Sequence, residues 1–173
     1  MLDLIRNRRS ARKFAGRKIS AEVVGLLQES LLRSPTSKNN RPWEFIFVDD
    51  AGLLTQLSAC KPHGAAFLKD APLAVVLVAD EGKSDVWVED CSIAAITLQY
   101  VAQSMDIGSC WIQVRKRIHE SGESAEAAVR ATLGIPENLR VASIIALGYR
   151  VEERAPVPKD KLEYQKIKQN RYM

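Results

Sequence analysis

A long apolar segment, Val88 to Met105, contains neither glycine nor proline. Its apolar residues cover most of a helical wheel instead of one narrow stripe, which predicts a helix that is buried nearly all round. Glu89, Asp90 and Gln99 make the segment too polar to span a membrane. We therefore predict a core helix around which the chain is organised. Asp106 to Gly108 is predicted to be a turn that leads into an apolar, aromatic run.

The remaining regular elements follow from shorter patterns. Continuous apolar runs rich in β-branched residues are typical of strands that are buried on both faces. Shorter runs of the same composition, bounded by turn residues, also predict strands. Ser20 before an apolar run and Gly134 after one are typical of the start and the end of a helix. The sequence thus predicts strands at 44–49, 73–79 and 141–148 and helices at about 21–33, 53–60 and 123–133.

Two segments lack a core pattern. Ser34 to Trp43 is predicted to be a loop, because Pro35 and Pro42 exclude a regular helix and its Ser, Thr and Asn side chains favour turns. These side chains could reach the edge of a polar heterocycle, or the segment could be a plain connection. Arg150 to Lys161 is rich in charge and proline, so we expect it to lie on a surface of its own domain or of a partner.

Composition restricts the classes of protein. The 173 residues are 46% hydrophobic and 27% charged, which predicts a single globular domain, 1–173, rather than a disordered chain. The net charge is +4, and six basic residues lie between Arg6 and Arg17. Such a cluster is either a solvated arm, a site for an anion, or a surface for nucleic acid.

Metal, membrane and export are not indicated. The three cysteines contain no CxxC pair, and two histidines add no ligand spacing, so we predict no metal. The N-terminal residues lack an apolar run of signal-peptide length, which predicts a cytoplasmic protein that is not bound to a membrane.

Four separated motifs together resemble the FMN-dependent nitroreductase family. They are RRSARKF at 8–14, SPTSKNNRPWEF at 34–45, DIGSCWI at 106–112 and LGY at 147–149. Each is weak by itself, but the resemblance runs from about Asp3 to Lys161. It implies an α+β fold, in which a mixed, mostly antiparallel sheet is flanked by helices around a long central helix. It also implies a homodimer with FMN at the interface and a C-terminal segment that extends to the partner subunit.

The resemblance also implies which residues contact FMN. The N-terminal set would hold the phosphate, with Arg9 near the ring or the ribityl chain, and a later basic pair would close on the same phosphate. The loop at 34–43 would serve the flavin of the partner subunit, and the backbone at 108–109 would lie along the ring. The candidates are Arg8, Arg9, Ser10, Arg12, Pro35, Thr36, Ser37, Asn39, Gly108, Ser109, Lys159 and Lys161.

In such enzymes FMN takes a hydride from NAD(P)H and passes electrons to a second small molecule in a ping-pong mechanism. No side chain is expected to act as a nucleophile or a dedicated acid or base, so no catalytic residue is assigned. Cys110 is interpreted as inert packing. Arg41 stands where many relatives carry Gln, and the acceptor could be a nitroaromatic, a quinone, a free flavin or an enone.

Other functions remain open at this point. A sister branch of the family would keep FMN but carry out reductive dehalogenation or flavin conversion. A flavin-binding protein without turnover is a further alternative. A basic nucleic-acid-binding domain is disfavoured, because no exposed aromatic residues are interleaved with the cluster at Arg6 to Arg17.

Overall fold

Four antiparallel strands form one sheet in the computed structural model, which describes residues 1–172. Their order across the sheet is β1-β2-β4-β3. The predicted α+β class and all three predicted strands are confirmed, while Met173, the last residue of the predicted domain, lies outside the described residues. The strands are β1 (Trp43–Val48), β2 (Leu73–Asp80), β3 (Ile107–Gln113) and β4 (Leu139–Tyr149).

Five α-helices surround the sheet, and local capping explains several of their ends. The Ser20 hydroxyl accepts a 3.3 Å hydrogen bond from the N–H of Val23, and the Ser124 hydroxyl accepts a 3.0 Å bond from that of Ala127. Gly134, in the left-handed region with φ 64°, ends the last helix. The helices are α1 (Leu2–Asn7), α2 (Ala21–Leu32), α3 (Ala51–Ser58), α4 (Trp87–Ser104) and α5 (Ala125–Leu133).

The sheet is covered on both faces, which is why β2 is buried along nearly its whole length. Alternate residues of a strand point to opposite faces. Val75 and Leu77 therefore pack with the helices α2 and α4 on one side. Val76 and Val78 pack with α3, α5 and the 3₁₀ turn Ala66–Asp70 on the other side. No helix within residues 1–172 combines the length and the apolarity that crossing a bilayer requires.

The helix predicted at 88–105 is α4, and its residues other than Glu89, Ile93 and Ser104 are buried or half-buried in the single chain. The side of α4 that faces the sheet is fully buried at Cys91, Ala94 and Leu98. Ile93, by contrast, is 39% exposed. The helix lies against one face of the sheet, and α2 covers only part of its outer side. Ile93 is therefore the one large apolar side chain of α4 that is exposed in a single subunit.

The predicted turn at 106–108 is shorter than expected. Asp106 has a φ of 57°, in the left-handed region, and the chain already enters β3 at Ile107. Gly108 pairs with Gly148 of β4, and Ser109 pairs with Leu147. Gly108 and Ser109 are therefore strand residues, because β4 is long enough to extend the ladder past them.

The segment after β4 has no core of its own, as the sequence predicts. Every residue from Val151 to Tyr172 is exposed, including Leu162 at 46% and Ile167 at 72%. Two short 3₁₀ turns, Lys159–Lys161 and Tyr164–Lys166, are its regular structure. No residue of this 22-residue stretch is buried in its own subunit, so the stretch adds nothing to the core there.

Candidate functional site

The first candidate region is the N-terminal arm, residues 8–15, which lies along the end of the sheet. The N–H of Ala11 donates a 3.0 Å hydrogen bond to the carbonyl of Ser109 on β3. The N–H of Ala15 donates a 2.8 Å bond to the carbonyl of Tyr149 on β4. Ser10 forms a parallel bridge with Ser109. These backbone bonds fix the arm to the two strands that carry the glycine motifs.

Two paired glycines make room for the arm. A Cβ on Gly108 would lie 2.3 Å from Cγ of Arg150 and 2.8 Å from Cβ of Ala11. A Cβ on Gly148 would lie 2.8 Å from Cδ1 of Phe14. Real Cβ atoms do not approach other heavy atoms this closely, so any larger residue would displace the arm. The DIGSCWI and LGY motifs thus have a packing reason for their glycines.

A basic cleft of about 170 Å³ opens beside the arm. Five cationic side chains and one carboxylate line it, and Lys13 forms an ion pair with that carboxylate, Glu152. Among the described residues, no carboxylate lies within ion-pair distance of Arg9, Arg12 or Arg154. Unpaired like charges repel, so the cleft favours an anion. Its lining is Arg9, Ser10, Ala11, Arg12, Lys13, Arg150, Glu152 and Arg154.

Arg8 and Arg12 also act on a buried thiol of β3. Burial raises the pKa of the Cys110 thiol, and Arg12, the Ser10 side chain and Arg8 partly oppose that rise. Cys110 is 1% exposed. Its thiol therefore stays protonated and inert near neutral pH, in agreement with the interpretation of Cys110 as packing. Arg8, Ser10 and Arg12 therefore all lie near Cys110 of β3.

Aromatic contacts orient two of the basic side chains. The Arg12 guanidinium lies 6.0 Å from the ring centroid of Phe67, and that of Arg17 lies 3.5 Å from the centroid of Tyr149. Cation–π contacts of this kind contribute about 0.5–2 kcal/mol each. Arg17 thus has a structural contact at the end of the arm, whereas Arg12 is directed toward the cleft.

The second candidate region is the loop at residues 34–42, which connects α2 to β1 and is called the Ser37 loop here. The N–H of Ser37 donates a 2.8 Å hydrogen bond to Oδ1 of Asp90, a residue of α4 that is 1% exposed. Ser84 donates to the other carboxylate oxygen at 2.9 Å. Within the loop, Oγ1 of Thr36 accepts a 3.0 Å bond from the N–H of Arg41. The loop is therefore anchored to the body of the protein by a buried carboxylate.

The structure separates the predicted site residues into two groups. Arg8, Arg9, Ser10, Arg12, Gly108 and Ser109 lie together at the start of β3, whereas Pro35, Thr36, Ser37 and Asn39 lie before the start of β1. The register places these two points at diagonally opposite corners of the sheet. Three strand spacings and six residues of rise separate them by roughly 25 Å.

Lys159 and Lys161 do not line the basic cleft in the single chain. They occupy an exposed 3₁₀ turn of the C-terminal segment. Arg150 and Arg154, which no sequence motif assigned, line it instead. The basic content of residues 150–161 is the signal that could have pointed to them, but spacing alone did not show which cations reach the arm. Within residues 1–172 no three His, Cys, Asp or Glu side chains form a cluster that could hold a metal ion.

Comparisons with known proteins agree with this architecture. An FMN-dependent nitroreductase from Clostridium difficile R20291 has a solved structure that superposes with a TM-score of 0.97 at 40% identity, covering 99% of this chain and 100% of that one. A solved structure from Parabacteroides distasonis, provisionally named NADH dehydrogenase/NAD(P)H nitroreductase, gives a TM-score of 0.88 at 31% identity and covers 99% and 98%.

A curated relative from Archaeoglobus fulgidus carries the same provisional name, with 36% identity over 88% of this chain and 87% of its own length. The model of the family described as the Nitroreductase family matches residues 5–149. This range includes the arm, the Ser37 loop and both glycine strands. The chain belongs to the nitroreductase family.

Proposed function

We propose that the protein is an FMN-dependent oxidoreductase that uses NAD(P)H to reduce a second small molecule. The overall reaction converts NAD(P)H, one proton and an acceptor into NAD(P)⁺ and a reduced acceptor. The acceptor gains two electrons and two protons. The observation that carries the proposal is the basic cleft of the arm in a chain of this family. The named nitroreductase from Clostridium difficile, which is similar over nearly the whole chain, supports the choice of FMN.

The residues at the cleft fit the phosphate of FMN. A phosphomonoester carries about two negative charges at neutral pH and accepts several hydrogen bonds. Arg9, Arg12 and Arg154 supply guanidinium donors without competing carboxylates, and Ser10 supplies a hydroxyl. Hydrogen bonds between guanidinium and phosphate are charge-assisted and are shorter and stronger than neutral ones. Arg8, which lies beside the same strand, adds to the positive field.

The paired glycines suit a flat ring. Gly108 has no side chain, and that of Ser109 is small. The Ser109 hydroxyl donates a 3.3 Å hydrogen bond to Oε1 of Gln99. A planar group can therefore approach the arm and the strand edge beside them. When bound, FMN supplies the hydride acceptor and the two-electron donor of the reaction. The protein's part is to bind, orient and exclude water, so no residue is assigned as a nucleophile, acid or base.

The separation of the two groups of candidate residues supports a homodimer. One FMN molecule is shorter than the distance of roughly 25 Å between these two corners of the sheet, which follows from strand spacing and rise. We infer that Pro35, Thr36, Ser37 and Asn39 of one subunit serve the flavin held by the arm of the other. Ile93 on α4 and the C-terminal segment offer exposed apolar side chains for such an interface. Lys159 and Lys161 then reach a phosphate after the segment has docked on the partner.

A ping-pong order is the expected kinetic form, because a single ring face would take the nucleotide and the acceptor in turn. Parallel lines in double-reciprocal plots at several fixed acceptor concentrations would support this order. Intersecting lines would show that both substrates bind together and would contradict it.

The test is an absorbance spectrum of the purified protein with FMN added, followed by anaerobic addition of NADH and, separately, NADPH. We expect a flavin spectrum that bleaches with at least one nucleotide and returns when a nitroaromatic or a quinone is added. A protein that retains no flavin would overturn the proposal, and the arm would then be titrated with nucleic acid at several salt concentrations. Flavin that neither nucleotide reduces would identify a binding protein without this turnover.

A further inference from the structure

The Ser37 loop presents two cations in an unusual backbone conformation. Lys38, Asn39 and Arg41 have φ values of 50°, 57° and 47°, all in the left-handed region. Lys and Arg adopt this region at a cost of about 1–2 kcal/mol each, whereas Asn enters it more readily. Such strain persists where the surrounding structure holds it, and it concentrates at functional sites. The anchor at Asp90 is the element that holds it here.

Arg41 is held in a defined position by two further bonds. Its N–H donates to Oγ1 of Thr36 at 3.0 Å, and its Nε donates to Oδ1 of Asn39 at 2.9 Å. The Nε bond leaves the two terminal nitrogens of the guanidinium directed away from Asn39. Within the described residues no carboxylate lies within ion-pair distance of Arg41 or Lys38, and both side chains are exposed. The loop thus offers an oriented, unpaired cationic fork.

We propose that Arg41, supported by Lys38, selects acceptor substrates that carry a carboxylate beside the reducible group. A planar fork of two N–H donors matches a carboxylate bidentately, and a preoriented side chain loses little entropy on binding. This inference rests on the proposed function, which places the Ser37 loop of one subunit beside the flavin of the other. It adds a substrate class and a specificity residue to that function.

Arg41 and the cations of the arm would meet different anions in the proposed dimer. Within one subunit they lie at opposite corners of the sheet, so the arm would hold the FMN phosphate of one site and Arg41 would face the acceptor at the other site. Replacing Arg41 with Gln removes the charge but keeps an amide that can reach a carboxylate oxygen. Replacing it with Glu reverses the charge and repels the carboxylate.

The test measures steady-state kinetics of the FMN-loaded protein with 4-nitrobenzoate and with 4-nitrobenzyl alcohol, which differ in charge. For Arg41→Gln we expect KM for 4-nitrobenzoate to rise roughly five- to twentyfold, as the loss of one charge-assisted pair predicts. The ratio of KM for 4-nitrobenzoate to KM for the alcohol should rise by about the same factor, because a loss of flavin or of turnover would affect both compounds alike. Arg41→Glu should raise KM for 4-nitrobenzoate further and Lys38→Gln should raise it less.

Lys116→Gln is the matched control. Lys116 is an exposed cation in the left-handed region, with φ 59°, and it lies in the turn after β3, the strand at the opposite edge of the sheet from β1. Lys116→Gln removes one positive charge, as Arg41→Gln does, and it should leave the ratio of the two KM values unchanged. An unchanged ratio in Arg41→Gln would overturn the proposal. A rise in KM for NADH without a change in that ratio would also overturn it and assign the cation to the nucleotide.

A binding measurement separates this proposal from the proposed function. Calorimetric titration of the protein, as purified, with 4-nitrobenzoate and the alcohol requires no turnover. A preference for the carboxylate that Arg41→Gln abolishes and Lys116→Gln keeps would support the proposal even if neither nucleotide reduces the flavin. Equal affinity for the two compounds in the wild-type protein would sink it, even if turnover with NADH were established.

Discussion

Gly108 of β3 lies directly opposite Gly148 of β4, and the N-terminal arm crosses the sheet where these two residues lack side chains. The pair links two motifs that are 40 residues apart in the sequence to the segment that carries Arg8, Arg9 and Arg12. The arm can therefore approach the strand edge because both residues are glycines, which have no Cβ. This relationship leads to the first prediction.

Gly108→Ala should displace the arm and weaken flavin retention. The new Cβ would meet Arg150 and Ala11 at 2.3 Å and 2.8 Å, and overpacking of this kind costs about 1–3 kcal/mol. We expect a lower midpoint of urea unfolding and at least a tenfold weaker FMN affinity, measured by fluorescence quenching. Gly25→Ala in α2 is the control: its Cβ would meet nothing within 4 Å, and it should stabilise the helix by about 0.5–1 kcal/mol. Full flavin affinity in Gly108→Ala would contradict the packing argument.

Arg12→Ala should release the cofactor while leaving the fold intact. Hydrogen bonds to charged groups contribute about 1.5–3 kcal/mol, so the Kd for FMN should rise roughly ten- to hundredfold. Because the interaction is ionic, the affinity of the wild-type protein should also fall as salt is added. Lys116→Gln removes one positive charge elsewhere and should retain the wild-type Kd. A normal Kd in both Arg8→Ala and Arg12→Ala would rule out the arm as the phosphate site.

Asp90→Ala should loosen the Ser37 loop. It leaves the N–H of Ser37 and the hydroxyl of Ser84 without their shared acceptor, and unpaired buried polar groups cost about 1–3 kcal/mol each. We expect reduced stability and faster hydrogen exchange in residues 36–41. Asp90→Asn, which keeps one acceptor oxygen, should lie between the wild type and Asp90→Ala. Exchange rates in the loop that do not change in Asp90→Ala would show that other contacts hold it.

Stability should fall in alkaline solution because of the buried thiols. Burial, with Asp90 adding to it, raises the pKa of Cys91 from 9.0 to about 12. The protonated thiol is thus favoured in the folded state, so its contribution is complete below pH 9 and is lost as pH rises toward 12. One such thiol lowers the free energy of unfolding by up to about 1.4 kcal/mol per pH unit in that range. Denaturation at pH 8, 9, 10 and 10.5 measures the slope, which should be shallower in Cys91→Ala.

The apolar side chains of the C-terminal segment provide a test of the dimer. Leu162 and Ile167 are 46% and 72% exposed in the single chain, where changing them to Ser would cost little. If the segment docks on a partner, the double change Leu162→Ser, Ile167→Ser should shift the protein from dimer to monomer in light scattering at micromolar concentration. Ile118→Ser, at a residue 59% exposed outside the segment, should leave the mass unchanged. A wild-type protein that is monomeric would contradict the dimer.

Much of the fold was readable from local patterns. The buried strands β2 and β4 arise from uninterrupted apolar runs, and the helix ends at Ser20 and Gly134 arise from a capping hydroxyl and a left-handed glycine. The exposed segment after β4 has a local cause too, namely its high content of charge and proline. The motif RRSARKF and the loop motif also identified the family and the candidate contacts. A function that depends on which residue types occur within a short segment can be inferred from the sequence.

The tertiary structure determined which residues, distant in the sequence, lie close together. The pairing of Gly108 with Gly148, the role of Asp90 as an anchor, and the entry of Arg150 and Arg154 into the cleft join residues that are distant in the chain. The exposure of Ile93 on α4 has the same cause, since a helical wheel shows which faces are apolar but not how much of each face one subunit covers. Periodicity reports local geometry, whereas strand register and layer packing are set by the whole chain at once.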